Sequence, residues 1–277
     1  MTRSGVARLL VNGDEEPAVH PLDRGLMYGD GLFETIRFVG SHAPLWDRHM
    51  QRLAQDARRL MLPEVDPAVW LVEASRVTEG MPESVVRLTL TRGIGQRGYA
   101  LPGRVHALRV VAAFTPPPLA AADHRDGIVA RVCDLRLGVQ PALAGIKHLN
   151  RLEQVLARAE WHDPAIAEGL LLDEHGRVIS ATMANVFAVI DGELVTPCVD
   201  RCGVAGVARA QILATRPARE CQFMLDDLWR AKEVFLSSSV RGILPLRAVG
   251  NRAFKPGLVA RALQEYWRDM GFFRELA

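Results

Sequence analysis

The sequence predicts a mixed α/β (α+β) chain folded as two domains. Three observations carry this prediction. Segments of strand composition alternate with amphipathic helical patterns along the chain. The run Thr115-Pro116-Pro117-Pro118-Leu119 interrupts that alternation, because consecutive prolines fit neither a helix interior nor a central strand and read as an extended connector. A length of 277 residues gives room for two ordinary domains or one large one. The expected division is residues 1–115, a linker at 116–126, and residues 127–277, with a ligand in the cleft between the halves.

In the first half, residues 7–11 and 32–39 have strand composition, with the glycine turn Tyr28-Gly29-Asp30-Gly31 between them. The spacing predicts a helix over 46–61. Trp46, Met50, Leu53, Ala57, Leu60 and Met61 share one face, and Arg48, Arg52 and Arg59 lie away from it. A second helix is expected at about 67–79, then strands at 84–91 and 105–114. After the connector come a strand near 127–133 and a helix at about 149–161. Strands near 168–172, 185–190 and 193–196 follow, then a helix opening after Gly206, a strand at 232–236 and a last helix over 257–270.

The chain is 49% hydrophobic and 24% charged, which suits a buried core and excludes a disordered or disulfide-stapled protein. Lys plus Arg number 34 against 32 Asp plus Glu, so a net charge of +2 gives no electrostatic case for nucleic acid or an anionic membrane. Cys133, Cys198, Cys202 and Cys221 form no C-x-x-C pair and have no histidine at metal-ligand spacing, so they read as free thiols in a reducing compartment. The stretch Met1–Val11 is too short and interrupted for a signal peptide, and prolines break the apolar region 110–122 below the ~18 residues of a membrane span. A cytoplasmic protein is expected, with no metal.

Four local motifs carry chemistry. Gly93-Ile-Gly95-Gln-Arg97-Gly98 matches G-x-G-x-x-G after a strand. A dinucleotide site would need a helix to open there, and Pro102-Gly103 forbids a long one. A flexible loop carrying Arg97 and Tyr99, able to close over a substrate, is the better reading. Lys147, after Gly145-Ile146 and before a helix, is either a solvated lysine or a buried neutral amine able to form a Schiff base; the spacing leaves both open. Gly203-Val-Ala-Gly206 leads Val207 and Ala208 into a helix and is either an ordinary loop-to-helix turn or a site whose first amides attract phosphate; the motif leaves both open. Ser237-Ser238-Ser239 offers hydroxyl donors, and Arg52 offers a counter-charge.

Taken in order, these segments resemble a known family. Asp23-Arg24-Gly25, Tyr28-Gly29-Asp30-Gly31, Phe33-Glu34-Thr35 and His49-Met-Gln-Arg52-Leu53 resemble the start of the fold-type IV pyridoxal-phosphate enzymes, which are D-amino acid aminotransferase-like in fold. Lys147-His-Leu-Asn150 is similar to the cofactor-lysine motif, and Asn185-Val-Phe187 and Gly206-Val-Ala-Arg209 to later signatures. The match runs from about residue 9 to residue 246. It implies pyridoxal 5′-phosphate as cofactor and a homodimer with the cofactor between two α/β domains. Lys147 is implied as its covalent attachment, and Arg52, Val207, Ala208 and Ser239 as its phosphate partners.

Within the family, Asn150-Arg-Leu-Glu-Gln154 and Gly95-Gln-Arg97-Gly98-Tyr99 resemble the 4-amino-4-deoxychorismate lyase branch. The alternatives are the D-amino-acid and branched-chain aminotransferases. The resemblance implies a small-molecule substrate, 4-amino-4-deoxychorismate, split to 4-aminobenzoate and pyruvate on the way to folate. Lys147 would be the catalytic base, Thr35 would orient substrate or a proton-relaying water, and Arg97 and Arg37, with Tyr28 and Tyr99 nearby, would meet substrate carboxylates. One position departs from the pattern. Many members carry a Glu five residues before the motif Asn, holding the pyridine nitrogen protonated. Here that position is Ser180, and a hydroxyl there implies a weaker electron sink. From other classes, a nucleotide-dependent oxidoreductase would bind NAD and be colourless, and a non-catalytic binding protein would need no such lysine.

Overall fold

The computed structural model describes residues 6–15, 18–118 and 120–273; residues 1–5 of the N-terminal stretch and Leu119 of the connector lie outside them. The chain forms two compact units. One gathers the residues up to Pro117 together with Lys147–Asn150, and the other Pro118–Ile146 with Arg151 onward. Lys147–Asn150, expected within 127–277, therefore pack with the first unit.

The first unit runs β1 (Val6–Val11), α1 (Arg24–Tyr28), β2 (Gly31–Val39), α2 (Trp46–Arg59), α3 (Pro67–Thr78), β3 (Glu83–Thr91) and β4 (Leu108–Phe114). Its antiparallel sheet has the order β1-β4-β3-β2, which leaves β2 at an edge. Side chains alternate across a strand, so Leu32, Glu34, Ile36 and Phe38 share one face with Val86, Leu88 and Leu90. All of these are buried, and α2 packs on β2, α3 on β4 and β1. Phe33, Thr35, Arg37 and Arg87 point to the other face.

Local chemistry sets the helices. Asp66 caps α3 by accepting from Ala68 N–H at 2.8 Å, with Pro67 opening the first turn. Asp47 in the first turn of α2 and Arg58 and Arg59 in its last suit the helix dipole. The expected helix 46–61 stops at Arg59, and Met61 is exposed with φ +53° rather than part of the apolar face. The turn at 28–31 is preceded by a short helix, α1, ended by Gly29 at φ +65°. A Cβ on Gly29 would stand 2.5 Å from Asn150 Oδ1, and Asn150 Nδ2 donates to Gly29 O at 3.1 Å.

The second unit comprises α4 (Ala121–Asp126), β5 (Ile128–Leu137), α5 (Leu152–Arg158), β6 (Ile166–Asp173), β7 (Val178–Ala181), β8 (Asn185–Ile190), β9 (Glu193–Pro197), α6 (Val207–Thr215), β10 (Arg219–Cys221), α7 (Leu225–Leu228), β11 (Glu233–Ser238), β12 (Gly242–Val249), β13 (Arg252–Ala253) and α8 (Leu258–Asp269). Its nine-stranded sheet has the order β10-β9-β8-β11-β12-β5-β6-β7, with β13 on β12. Pairs β12/β5, β5/β6 and β9/β10 are parallel and the rest antiparallel. Leu170, Leu172, Val186, Val234, Leu236, Leu244 and Leu246 build one core. Cys133, Leu137, Trp161, Leu171 and Ile179 build a second on the opposite face of β6.

The expected helix 149–161 shortens to α5, because its first residues join the first unit. β7 and β12 were not foreseen: β7 has four residues, and β12 contains Pro245, which sequence rules read against a strand. Among the described residues no helix is long and apolar enough to cross a membrane.

Gly169 lies where β6 meets the second core. A Cβ there would stand 2.5 Å from Cys133 Sγ and 2.8 Å from the Trp161 ring. Gly169→Ala is expected to cost about 1–3 kcal/mol of stability by overpacking, read from the urea midpoint. An unchanged midpoint would show that this corner of the core repacks freely.

Candidate active site

Lys147 is held along the free edge of β2. Its carbonyl accepts from Phe33 N–H at 3.1 Å, His148 bridges to Leu32, and Leu149 N–H donates to Gly31 O at 3.0 Å. The Lys147 Nζ stands 4.2 Å from the centroid of the Phe33 ring. Just before it, in the second unit, Gly145 is pinned by bonds from its N–H to Gly203 O and from Ala205 N–H to its own carbonyl.

Arg87 shares that face. It lies directly across from Thr35, and its guanidinium carbon is 4.0 Å from the Phe33 centroid. Burial pulls its pKa down, and among the described residues no acidic partner offsets the effect. The Phe33 ring thus has two cations over it, one an amine and one a guanidinium, beside a threonine hydroxyl. Sequence reasoning missed Arg87. The available signal was an arginine set between Val85-Val86 and Leu88 inside an otherwise apolar strand.

On the other face of β2, Glu34 is fully buried against α2. Arg52 Nε donates to Glu34 Oε1 at 2.8 Å, a second short bond joins Arg52 Nη2 to Oε2, and His49 Nδ1 sits 2.6 Å from Oε2. Burial pushes Glu34 up, but Arg52 and His49 outweigh it and hold the carboxyl at about 2. Burial lowers His49 despite Glu34. A carboxylate can only accept, so His49 Nδ1 carries the proton and Nε2 presents a lone pair. That Nε2 is buried with no hydrogen-bond partner among the described residues, within the field of Lys147.

Arg52, expected off the apolar face of its helix, is therefore buried. His49, Arg52 and Asp56 lie on the inward stripe beside Met50, Leu53 and Ala57. A helical projection cannot see the acid on β2 that draws the arginine inward. Two of the five guanidinium donors go to Glu34, so an anion bound there would share Arg52 with it.

The remaining first-unit candidates separate into two places. Arg37 lies four residues along β2 from Phe33, about 13 Å at strand rise, and its buried guanidinium is committed to Glu83 Oε2 at 2.7 Å. Tyr28, Tyr99 and Arg97 gather around the glycine loop. Gly98 N–H donates to Tyr28 Oη at 3.2 Å, and the two tyrosine rings stand 5.4 Å apart. Buried Arg24 pairs with Asp30 and donates to the carbonyls of Gly98 and Ala100. Arg97 is exposed, and Tyr99 is 85% exposed. No helix follows Gly98.

In the second unit, Asn185 at the start of β8 clamps the turn before α6. Its Oδ1 accepts from Gly206 N–H at 3.1 Å, and its Nδ2 donates to Val204 O at 2.9 Å. A Cβ on Gly206 would fall 2.1 Å from Asn185 Oδ1, so the turn requires glycine. Gly206 gives α6 no side-chain cap, and the Val207 and Ala208 amides open the helix ahead of its first internal bond. Ser237 pairs across the sheet with Asn185, its hydroxyl buried and without a hydrogen-bond partner among the described residues, and Ser239 follows at the hairpin. Ser180 sits on β7 opposite Leu171. The buried acid on the adjoining strand, Glu168, is taken up by Thr182 Oγ1, Gly169 N–H and Arg241 Nη2.

In the first unit the Lys147 amine beside the orphaned His49 Nε2 suits an aldehyde-bearing group, and in the second the uncapped α6 amides suit a phosphate, each a part of one phosphorylated aldehyde cofactor's needs. All four cysteines are free, and burial pushes Cys133 up to about 12 and Cys202 to about 11. A surface cavity of about 630 Å³ beside Arg131, Trp229 and Asn251 contains none of the candidate residues.

The family model "Amino-transferase class IV" matches residues 31–249. The crystal structure of 4-amino-4-deoxychorismate lyase from Pseudomonas aeruginosa is similar at a TM-score of 0.91 and 41% identity, covering 96% of this chain and 100% of that one. The aminodeoxychorismate lyase of Vibrio harveyi is 34% identical over 263 residues, 92% of this chain and 97% of its own. The branched-chain amino acid aminotransferase of Escherichia coli, at 24% identity and a TM-score of 0.84 over 98% of this chain and 97% of its own, shares the fold.

The Glu34 carboxyl falls from 4.5 to about 2 on folding, so its contribution is complete above pH 4.5 and is lost as pH falls toward 2. Glu34→Gln is expected to cost on the order of 3 kcal/mol at pH 7. In urea titrations the gap to wild type should narrow by about half at pH 3. A gap that stays constant with pH would refute the charged pairing.

Proposed function

This chain belongs to the class IV amino-transferase family, and on that premise we propose that it is a 4-amino-4-deoxychorismate lyase, releasing pyruvate and leaving 4-aminobenzoate. The observation that carries the reading is the Lys147 amine over Phe33, on a face that also presents Arg87 and Thr35. The substrate is a dicarboxylate, and such a face suits it better than a hydrophobic amino acid.

The cofactor is pyridoxal 5′-phosphate. When bound, it supplies an electron sink for charge developing at the carbon that bears the substrate amine. Lys147 would hold it covalently. Arg52 would supply the cation for its phosphate, the Val207 and Ala208 amides and the Ser239 hydroxyl would donate to the phosphate oxygens, and Ser180 would donate to its ring nitrogen. The freed Lys147 amine takes the proton from the amine-bearing ring carbon. The ring C–O bond then breaks, the ring becomes aromatic, and Lys147 delivers the proton to the departing enolpyruvyl carbon. Thr35 orients substrate or a relaying water. Arg87 meets one substrate carboxylate, and Arg97, Arg37, Tyr28 and Tyr99 are the further candidates for substrate contact. On the same reading the protein is a cytoplasmic homodimer, and four free thiols suit a reducing compartment.

Lys147→Ala is expected to abolish the yellow absorbance and the borohydride-fixed label, with pyruvate release falling about 10³-fold or more. A fully active variant overturns the assignment. If wild type exchanged amino groups with keto acids and released no pyruvate, the aminotransferase reading would replace the lyase. Ser180→Glu should raise keto-acid-dependent exchange and leave pyruvate release unchanged; no change in either would sink the weaker-sink reading.

A further inference from the structure

The peptide of Lys147 is fixed on both sides. Its carbonyl accepts from β2, but its N–H donates elsewhere, to Asp56 Oδ2 on α2 at 2.9 Å, across 91 positions of sequence. Asp56 is buried, one turn beyond Arg52 and two beyond His49, on the stripe of α2 that grips Glu34. Without that carboxylate the part-buried N–H would lose this acceptor and turn toward another or toward water, and the Cα–Cβ bond of Lys147 would turn with it.

We propose that Asp56 is the positioning residue of Lys147, fixing the peptide plane from which the amine reaches over the Phe33 ring. This deepens the reading above and rests on Lys147 as the reactive amine. A single helix then sets both halves of the lysine's surroundings, with His49 and Arg52 fixing Glu34 beside Phe33 and Asp56 fixing the lysine backbone. Burial pushes Asp56 up to about 6, with Glu34 adding to the rise and the Lys147 peptide, Arg52 and Arg59 opposing it. Burial thus opposes the charged form, and Asp56→Asn, which keeps an accepting oxygen without the charge, should fold at least as well as wild type.

The test is amide hydrogen exchange on the holoenzymes of wild type, Asp56→Ala, Asp56→Ser and Asp56→Asn, alongside steady-state kinetics of pyruvate release. Exchange in the peptide spanning 146–150 should speed up about tenfold in the Ala and Ser variants. Peptides from α2 and β2 should be unchanged, and Asn should restore protection. Turnover in the Ala and Ser variants should fall about ten- to a hundredfold, with KM within about twofold, because misaiming the amine slows chemistry without weakening substrate binding. Unchanged exchange at 146–150, faster exchange throughout the first unit, or a rise in KM at constant turnover would each overturn the proposal. The exchange measurement does not depend on the reaction. Lys147→Ala that still released pyruvate would sink the functional reading while leaving the Asp56 bond standing.

Discussion

A carboxylate buried at the centre of an edge strand organises the first unit. Glu34 cannot stay ionised inside the protein without donors, and it obtains them from one side of one helix. That demand fixes the rotation and register of α2. Once His49 and Arg52 are turned inward, Asp56, a further turn along, faces inward as well. β2 lies at the edge of its sheet, where unpaired backbone groups are open to other partners. Here the edge is occupied by Lys147–Asn150. The lysine thus sits in a short segment bridged to the edge of β2, and its own N–H donates to Asp56 on α2.

The two faces of β2 serve different purposes. One is a core of Leu32, Ile36 and Phe38 with the Glu34 network embedded in it. The other presents an aromatic ring between cations. Glu34, the acid on the core side, is taken up by Arg52 and His49, and among the described residues no acid pairs with Arg87 on the open side, so its field acts on whatever lies over Phe33. Arg37, on the same face, is neutralised by Glu83. Two arginines on one strand pair, both reachable by alternation, thus have opposite electrostatic roles.

In the second unit the controlling contact is an amide rather than an acid. Asn185 satisfies one donor and one acceptor of the turn at 204–206, and so leaves the first amides of α6 uncapped. A helix end left this way keeps its first amides available as hydrogen-bond donors. The Asn motif and the glycine motif, twenty-one positions apart, are one device: the glycine makes room for the asparagine, and the asparagine holds the glycine in place.

The presence of β2 and β3, the extents of α3 and α8, the start of α2 and the glycine loop that does not open a helix were legible in the sequence from composition, periodicity and turn chemistry. The order of motifs around Lys147, Asn185 and Gly206 was legible only through the resemblance to a known family. The tertiary structure alone decided the rest. Arg52 is buried because its acid lies eighteen positions away on another element. Arg87 matters because Phe33 and Lys147 meet it across strands. The helix after Lys147 starts late because Lys147, His148 and Leu149 pair with β2 instead and Asn150 bonds to Gly29, and β12 carries Pro245 opposite Phe235 of β11, one residue before its parallel pairing with β5 begins at Leu246. Periodicity records which face a residue prefers, whereas the charge, edge or donor that overrides this preference comes from a distant part of the chain.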